Sequence, residues 1–98
     1  MSDTHHDERI IVYGHTRCAQ AAWLAQVLLE QRIPHEWRDV AEGDPGYKDE
    51  LRALARGHLS VPTVVFPDGT VMVEPMPNEV LTKLNRRPPP GLLQRLLG

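Results

Sequence analysis

Ile10-Ile11-Val12-Tyr13-Gly14-His15-Thr16-Arg17-Cys18-Ala19-Gln20-Ala21 is the stretch on which the reading of this chain turns. A run of β-branched and aromatic residues halted by Gly14 predicts a short strand buried on both faces. From Ala19 to Gln31 there is neither Gly nor Pro, and Ala21, Leu24, Ala25 and Leu28 recur at helical spacing, so a helix follows the strand after a very short loop. Thr16 is the expected N-cap, because its hydroxyl can accept from a free N–H of the first turn, and Cys18 then falls within that turn.

Downstream of this unit, Pro34 closes the helix, and His35 to Val40 alternates around Trp37 as a second strand. Asp44-Pro45 predicts another helix start, with a carboxylate cap followed by a proline whose missing donor costs nothing. Tyr47, Leu51, Leu54 and Ala55 form its apolar stripe, with Lys48, Glu50 and Arg52 on the opposite side, until Gly57 ends it. Thr63 to Phe66 and Thr70 to Glu74 are two apolar runs joined by Pro67-Asp68-Gly69, a hairpin signature. Pro77 opens a last helix through Val80, Leu81 and Leu84, its start favoured by Glu79 near the positive end of the helix dipole.

The order is therefore β-α-β-α-β-β-α. Two strands linked through a helix run parallel with a right-handed crossover, and the hairpin adds to the same sheet. The expectation is an α/β fold of thioredoxin-like type, with a four-stranded mixed sheet and helices on both faces.

With 98 residues, the chain is the size of one domain with one core. Residues 1–8 read as a loose tail, 9–86 as the domain, and 87–98 as a proline-rich linker with a short leucine-rich segment. His5-His6 beside Asp3 and Asp7 reads as solvated tail, and no metal site or bound cofactor is expected. A net charge of -2 supplies no positive field for nucleic acid. No apolar run approaches the ~18 residues that span a bilayer. The polar, acidic start is unlike a secretory signal, which points to the cytoplasm. The single cysteine can make no internal disulfide, so its chemistry requires an outside thiol.

That cysteine falls at the start of a helix, where unpaired N–H groups and the positive end of the helix dipole favour thiolate over thiol. Arg17 adds a full positive charge next to it, and His15 adds another when protonated. A cysteine placed this way is expected to act as a nucleophile. The second feature is Ser60-Val61-Pro62-Thr63 at the entry to the third strand. In the expected sheet the loop before that strand lies beside the loop after the first, so Pro62 neighbours Cys18. A cis bond at Pro62 would turn the Val61 backbone outward to pair with a peptide-like ligand.

On these residues the chain, from about Arg9 to Leu84, resembles the glutaredoxin family. The run of Asp39-Val40, Asp44-Pro45, Val61-Pro62-Thr63-Val64, Asp68-Gly69, Pro75, Glu79-Val80 and Lys83-Leu84 most resembles its mycoredoxin-like actinobacterial branch. The resemblance implies a cytoplasmic thiol-disulfide oxidoreductase that reduces mixed disulfides between proteins and a small thiol such as glutathione or mycothiol. It makes Cys18 catalytic, with His15, Thr16, Arg17, Val61 and Pro62 on the substrate. Cys18-Ala19-Gln20-Ala21 lacks the second cysteine of the dithiol pattern, which leaves a monothiol mechanism. His15 stands where relatives often place a lysine, and Glu74-Pro75-Met76-Pro77 stands where many have a Gly-Gly pair. The implied partners are the small thiol and thiolated proteins, with no nucleic acid and no membrane, and the chain acts as a monomer or, alternatively, a dimer. Two other classes compete with this reading. One is a dimeric iron-sulfur cluster carrier, whose relatives usually follow the cysteine with Gly-Phe-Ser; the other is a non-catalytic thioredoxin-fold interaction module.

Overall fold

A computed structural model describes residues 9–85; the expected tail at 1–8 and the linker and leucine-rich segment at 87–98 lie outside the described residues. The elements are β1 (Ile10–Gly14), α1 (Ala19–Glu30), β2 (His35–Asp39), α2 (Gly46–Leu54), β3 (Thr63–Val65), β4 (Val71–Val73) and α3 (Pro77–Lys83). The sheet order is β2-β1-β3-β4. β1 runs parallel to β2 with Ile10 opposite His35, and antiparallel to β3 with Tyr13 opposite Thr63. β3 and β4 form the antiparallel hairpin. This is the mixed four-stranded sheet that the sequence order predicts.

Strand alternation divides the core in two. Ile10 and Val12 of β1 face one side with Leu24, Val27, Leu28, Val64, Val80 and Leu81, and Trp23 and Trp37 pack against this cluster. Tyr13 faces the other side with Val40, Leu51 and Ala55, flanked by Ile11, Tyr47 and Val61. Because successive side chains of a strand point to opposite faces, β1 is buried on both and must sit centrally. β2 is an edge strand, and all five of its residues are half-buried.

Several local expectations are corrected. The N-cap of α1 is Cys18, not Thr16: its backbone is extended at φ -91° and ψ 113°, and its carbonyl accepts the N–H of Ala22 at 2.9 Å. Thr16 and Arg17 instead form a turn closed by the Cys18 N–H to the His15 carbonyl at 3.2 Å. The buried positions of α1 are Ala21, Leu24, Val27 and Leu28, while Ala25 is only half-buried. At 3.6 residues per turn Ala25 lies about 100° from Leu24, whereas Val27 lies only about 60° to the other side, inside the stripe. Gly14 does not stop the strand; it is the last residue of β1. It is buried because the Trp37 ring crosses it so closely that a Cβ there would lie 2.6 Å from Trp37 Cη2.

Glu50, expected on the solvent side of α2, reaches back to the sheet. Its Oε1 accepts from Tyr13 Oη at 2.8 Å and from Arg38 Nη1 at 2.7 Å. Arg38 also donates to Glu36 at 2.7 Å and to Tyr13 Oη at 3.0 Å, and its guanidinium lies 5.6 and 5.5 Å from the Tyr13 and Tyr47 ring centroids. Hydrogen bonding by Glu36 holds the Arg38 guanidinium firmly charged, and burial pushes the Tyr13 phenol up from 10.0. This network ties α2 to β1 and β2.

The remaining ends follow their local chemistry. The expected Asp44 cap is shifted by one residue: the N-cap of α2 is Pro45, at φ -58° and ψ -27° with no side-chain cap bond, while Asp44 Oδ1 accepts the Gly46 N–H at 2.8 Å from the turn before the helix. After α1, Arg32 takes φ 55°, and the Arg32 and Ile33 N–H groups return to the carbonyls of Leu29 and Leu28, a Schellman closure. At α3 the Met76 N–H donates to Glu79 Oε1 at 2.7 Å. Lys83 Nζ donates to Asp68 Oδ2 at 2.7 Å and lies 5.7 Å from the Phe66 ring centroid, fastening α3 to the hairpin turn. No helix of the described residues is long and apolar enough to cross a membrane.

Candidate functional site

The site forms where three chain segments meet at one end of the sheet. β1 delivers the turn His15–Cys18, and the parallel crossover through α1 starts at Cys18 itself. The segment entering β3 is held by Thr63, which is fully buried and whose hydroxyl donates to the Ser60 carbonyl at 2.8 Å. The Val61–Pro62 peptide bond is cis. Cys18 Sγ lies 3.8 Å from the Val61 carbonyl oxygen, with the S–H directed to it, and the cysteine is half-buried. Among the described residues the Val61 N–H has no hydrogen-bond partner, which leaves it available to an extended ligand. Three of the expected site residues, Cys18, Val61 and Pro62, are therefore brought together.

The other three, His15, Thr16 and Arg17, line a hollow of about 380 Å³ with Ala41 and Glu42, on the loop that follows β2. Cys18 does not line this hollow; it stands at the end of the turn that forms one wall. His15 Nδ1 accepts the Arg17 N–H at 3.2 Å, which stiffens the turn. The loop opposite is organised by Asp39, whose Oδ1 accepts the N–H groups of Glu42 at 2.7 Å and Ala41 at 2.8 Å. These bonds, that of Glu42 first, hold the Asp39 carboxyl below the usual carboxylate range. Thr16 also borders a second, apolar hollow of about 560 Å³ between α1 and β2, walled by Ala22, Ala25, Leu29 and Trp37.

Two residues beside Cys18 were not singled out by the sequence reading. Gln20, two positions into the helix, donates from Nε2 to the Glu74 carbonyl at 3.2 Å. The Glu74 N–H donates to the Pro62 carbonyl at 2.7 Å. Glu74 thus joins both sides of the site, at φ 53°, a conformation in which glycine is the usual residue. The unusual Glu74-Pro75 pair was the visible signal; the partnership with Gln20, 54 residues earlier, was not. Among the described residues, no group of three or more His, Cys, Asp or Glu side chains is placed to hold a metal ion.

The arrangement offers one half-buried cysteine at the positive end of a twelve-residue helix, beside the Val61 N–H, which has no partner among the described residues. Chemically this suits nucleophilic attack on a sulfur of an extended disulfide ligand.

Comparison with known proteins agrees with the architecture. No protein-family model and no curated protein matches the chain. Among solved structures it is similar to the thioredoxin-like protein BC3987, at 28% identity and TM-score 0.64, over 78% of this chain and 99% of that one. A point mutant of BC3987 matches at 27% identity and TM-score 0.65, over 80% of this chain and 100% of that one. The glutaredoxin grx-1 from Archaeoglobus fulgidus matches at 13% identity and TM-score 0.68, over 83% of this chain and 90% of that one, a likeness of fold alone. By its fold the chain is a member of the thioredoxin-like superfamily.

Proposed function

We propose that the protein is a glutaredoxin-like thiol-disulfide oxidoreductase that works through one cysteine, reducing mixed disulfides between proteins and a low-molecular-weight thiol. The observation that carries this reading is the position of Cys18, half-buried at the head of α1 with its Sγ 3.8 Å from the Val61 carbonyl. The Cys18 thiolate attacks the small-thiol sulfur of a protein mixed disulfide. That S–S bond breaks, the protein sulfur leaves with the electron pair and takes up a proton, and the small thiol stays on Cys18 as a new disulfide. A second small thiol, as thiolate, then attacks this adduct, frees Cys18 and departs as the symmetric small disulfide. The net exchange consumes one free small thiol per mixed disulfide and yields the protein thiol and the symmetric small disulfide, so that free thiol is the reductant and no second protein cysteine takes part.

The backbone of Val61 and the shape set by Pro62 orient the ligand as an added strand, and Thr16, Arg17 and His15 hold its charged end in the hollow beside the turn. Glutathione, mycothiol and similar thiols fit this scheme. The test is intact mass after exposure to the oxidised forms of glutathione, mycothiol and coenzyme A, with Cys18→Ser as blank. One adduct per chain, removed by excess free thiol, is expected. Absence of any adduct on the native chain overturns the reading.

A further inference from the structure

Two side-chain hydrogen bonds among the described residues join the head of α1 to the segments that flank the β3–β4 hairpin. In the first, the Cys18 S–H points to the Val61 carbonyl at 3.8 Å. In the second, Gln20, half-buried and two positions further along, donates from Nε2 to the Glu74 carbonyl at 3.2 Å. Glu74 in turn donates its N–H to the Pro62 carbonyl at 2.7 Å, one rung beyond the Thr63–Val73 pair of the ladder. Gln20, Glu74 and Pro62 therefore close a ring of contacts with Cys18 and Val61. The two ties differ in what the exchange reaction does to them. The Cys18–Val61 bond needs the thiol proton, so it is lost when Cys18 ionises or carries an adduct. An ionised sulfur then faces a carbonyl oxygen, two acceptors with no hydrogen between them. The Gln20 amide does not titrate, and its bond persists through every step.

We infer that Gln20 is a positioning residue for the exchange reaction: by holding Glu74, it keeps the head of α1 against the Val61–Pro62 backbone while Cys18 has no proton to share. The inference rests on the exchange reading proposed above, and it concerns ligands that must meet the sulfur and the Val61 backbone together. An extended peptide disulfide does so, whereas a small disulfide without a backbone needs only the sulfur. With either probe the Cys18 thiolate attacks one sulfur of R–S–S–R, forming Cys18–S–S–R and releasing R–S⁻, so no further oxidant is required.

The experiment compares the native chain with Gln20→Met, which keeps the side-chain length and removes the donor, and with Gln20→Ala, which removes both. Both replacements are good helix formers, and neither changes the charge near the sulfur. Adduct formation on Cys18 is timed by mass spectrometry with two neutral probes, the symmetric disulfide of N-acetyl-Ala-Cys-Ala-amide and bis(2-hydroxyethyl) disulfide. In both variants the ratio of the peptide rate to the small-disulfide rate is expected to fall by ~3- to 10-fold, the worth of about one hydrogen bond. The small-disulfide rate itself should change less than about two-fold, because that probe needs no alignment by the backbone. A merely structural role would lower the unfolding midpoint and leave the ratio unmoved. An unchanged ratio in both variants, or an equal loss of both rates, overturns this inference and leaves the exchange reading standing. If the native chain reacts with neither probe, both fall.

Discussion

Cys18 and Val61 are 43 residues apart in the chain, and the thiol of one lies 3.8 Å from the carbonyl oxygen of the other. This contact depends on the central position of β1. Because β3 pairs antiparallel with β1, the segment entering β3 arrives at the end of β1 from which the Cys18 turn departs. The Cys18 sulfur and the Val61 backbone thus meet at the same end of one ladder.

Replacing Cys18 with serine should separate chemistry from stability. Cys18 caps α1 with an extended backbone but makes no side-chain cap hydrogen bond. A serine hydroxyl is a much better acceptor for the free N–H groups of the first turn, so Cys18→Ser should leave stability unchanged or raise it by up to ~1 kcal/mol, while abolishing adduct formation. Urea unfolding and mass spectrometry check both halves. A clear loss of stability would mean that sulfur packing, rather than capping, dominates at this position.

Gly14→Ala should destabilise the fold, because the added methyl meets Trp37 Cη2 at 2.6 Å and the Ala21 methyl at 3.2 Å. Overpacking of this kind costs about 1–3 kcal/mol. Trp37→Phe removes the colliding edge of the ring, so the double variant should lose less than the sum of the single losses, a coupling that a double-mutant cycle reads directly. Additive losses would place the strain elsewhere.

Asp39 makes stability depend on acid. Its carboxyl is held below the usual carboxylate range, chiefly by the Glu42 N–H. The folded state therefore binds this proton more weakly than the unfolded chain does. The contribution of Asp39 is present above the unfolded value and is lost as pH falls through the lower folded one. Asp39→Asn should be less stable than the native chain at pH 7, and the gap should narrow in acid, as followed by denaturant midpoints. A gap that stays constant with pH would show that the loop is held by shape alone. The same variant should also loosen the Ala41–Glu42 wall of the hollow beside His15 and Arg17.

Arg38→Met should weaken the attachment of α2 by about 1–3 kcal/mol. The substitution keeps an aliphatic stem against the Tyr13 and Tyr47 rings but leaves Glu36 and Glu50 without their guanidinium partner. Hydrogen exchange of the α2 amides should speed up more than that of α1. Equal acceleration in both helices would mean that the network supports the whole sheet.

Local chemistry in the sequence settled the order of the elements and limited any thiol chemistry to one residue. Apolar spacing marked α1 and α2, Asp44-Pro45 and Pro77 marked helix starts, Pro67-Asp68-Gly69 marked the hairpin, and a lone cysteine set any thiol chemistry to one sulfur. Each of these signals acts within a few residues, where φ/ψ preference and side-chain periodicity decide the outcome. Tertiary structure alone decided that Cys18 rather than Thr16 caps α1 and that Glu50 turns inward to Tyr13 and Arg38. It also placed Glu74 between Gln20 and Pro62. Those outcomes depend on which distant surfaces meet across the sheet, and pairing between segments dozens of residues apart leaves no periodic trace in the chain itself.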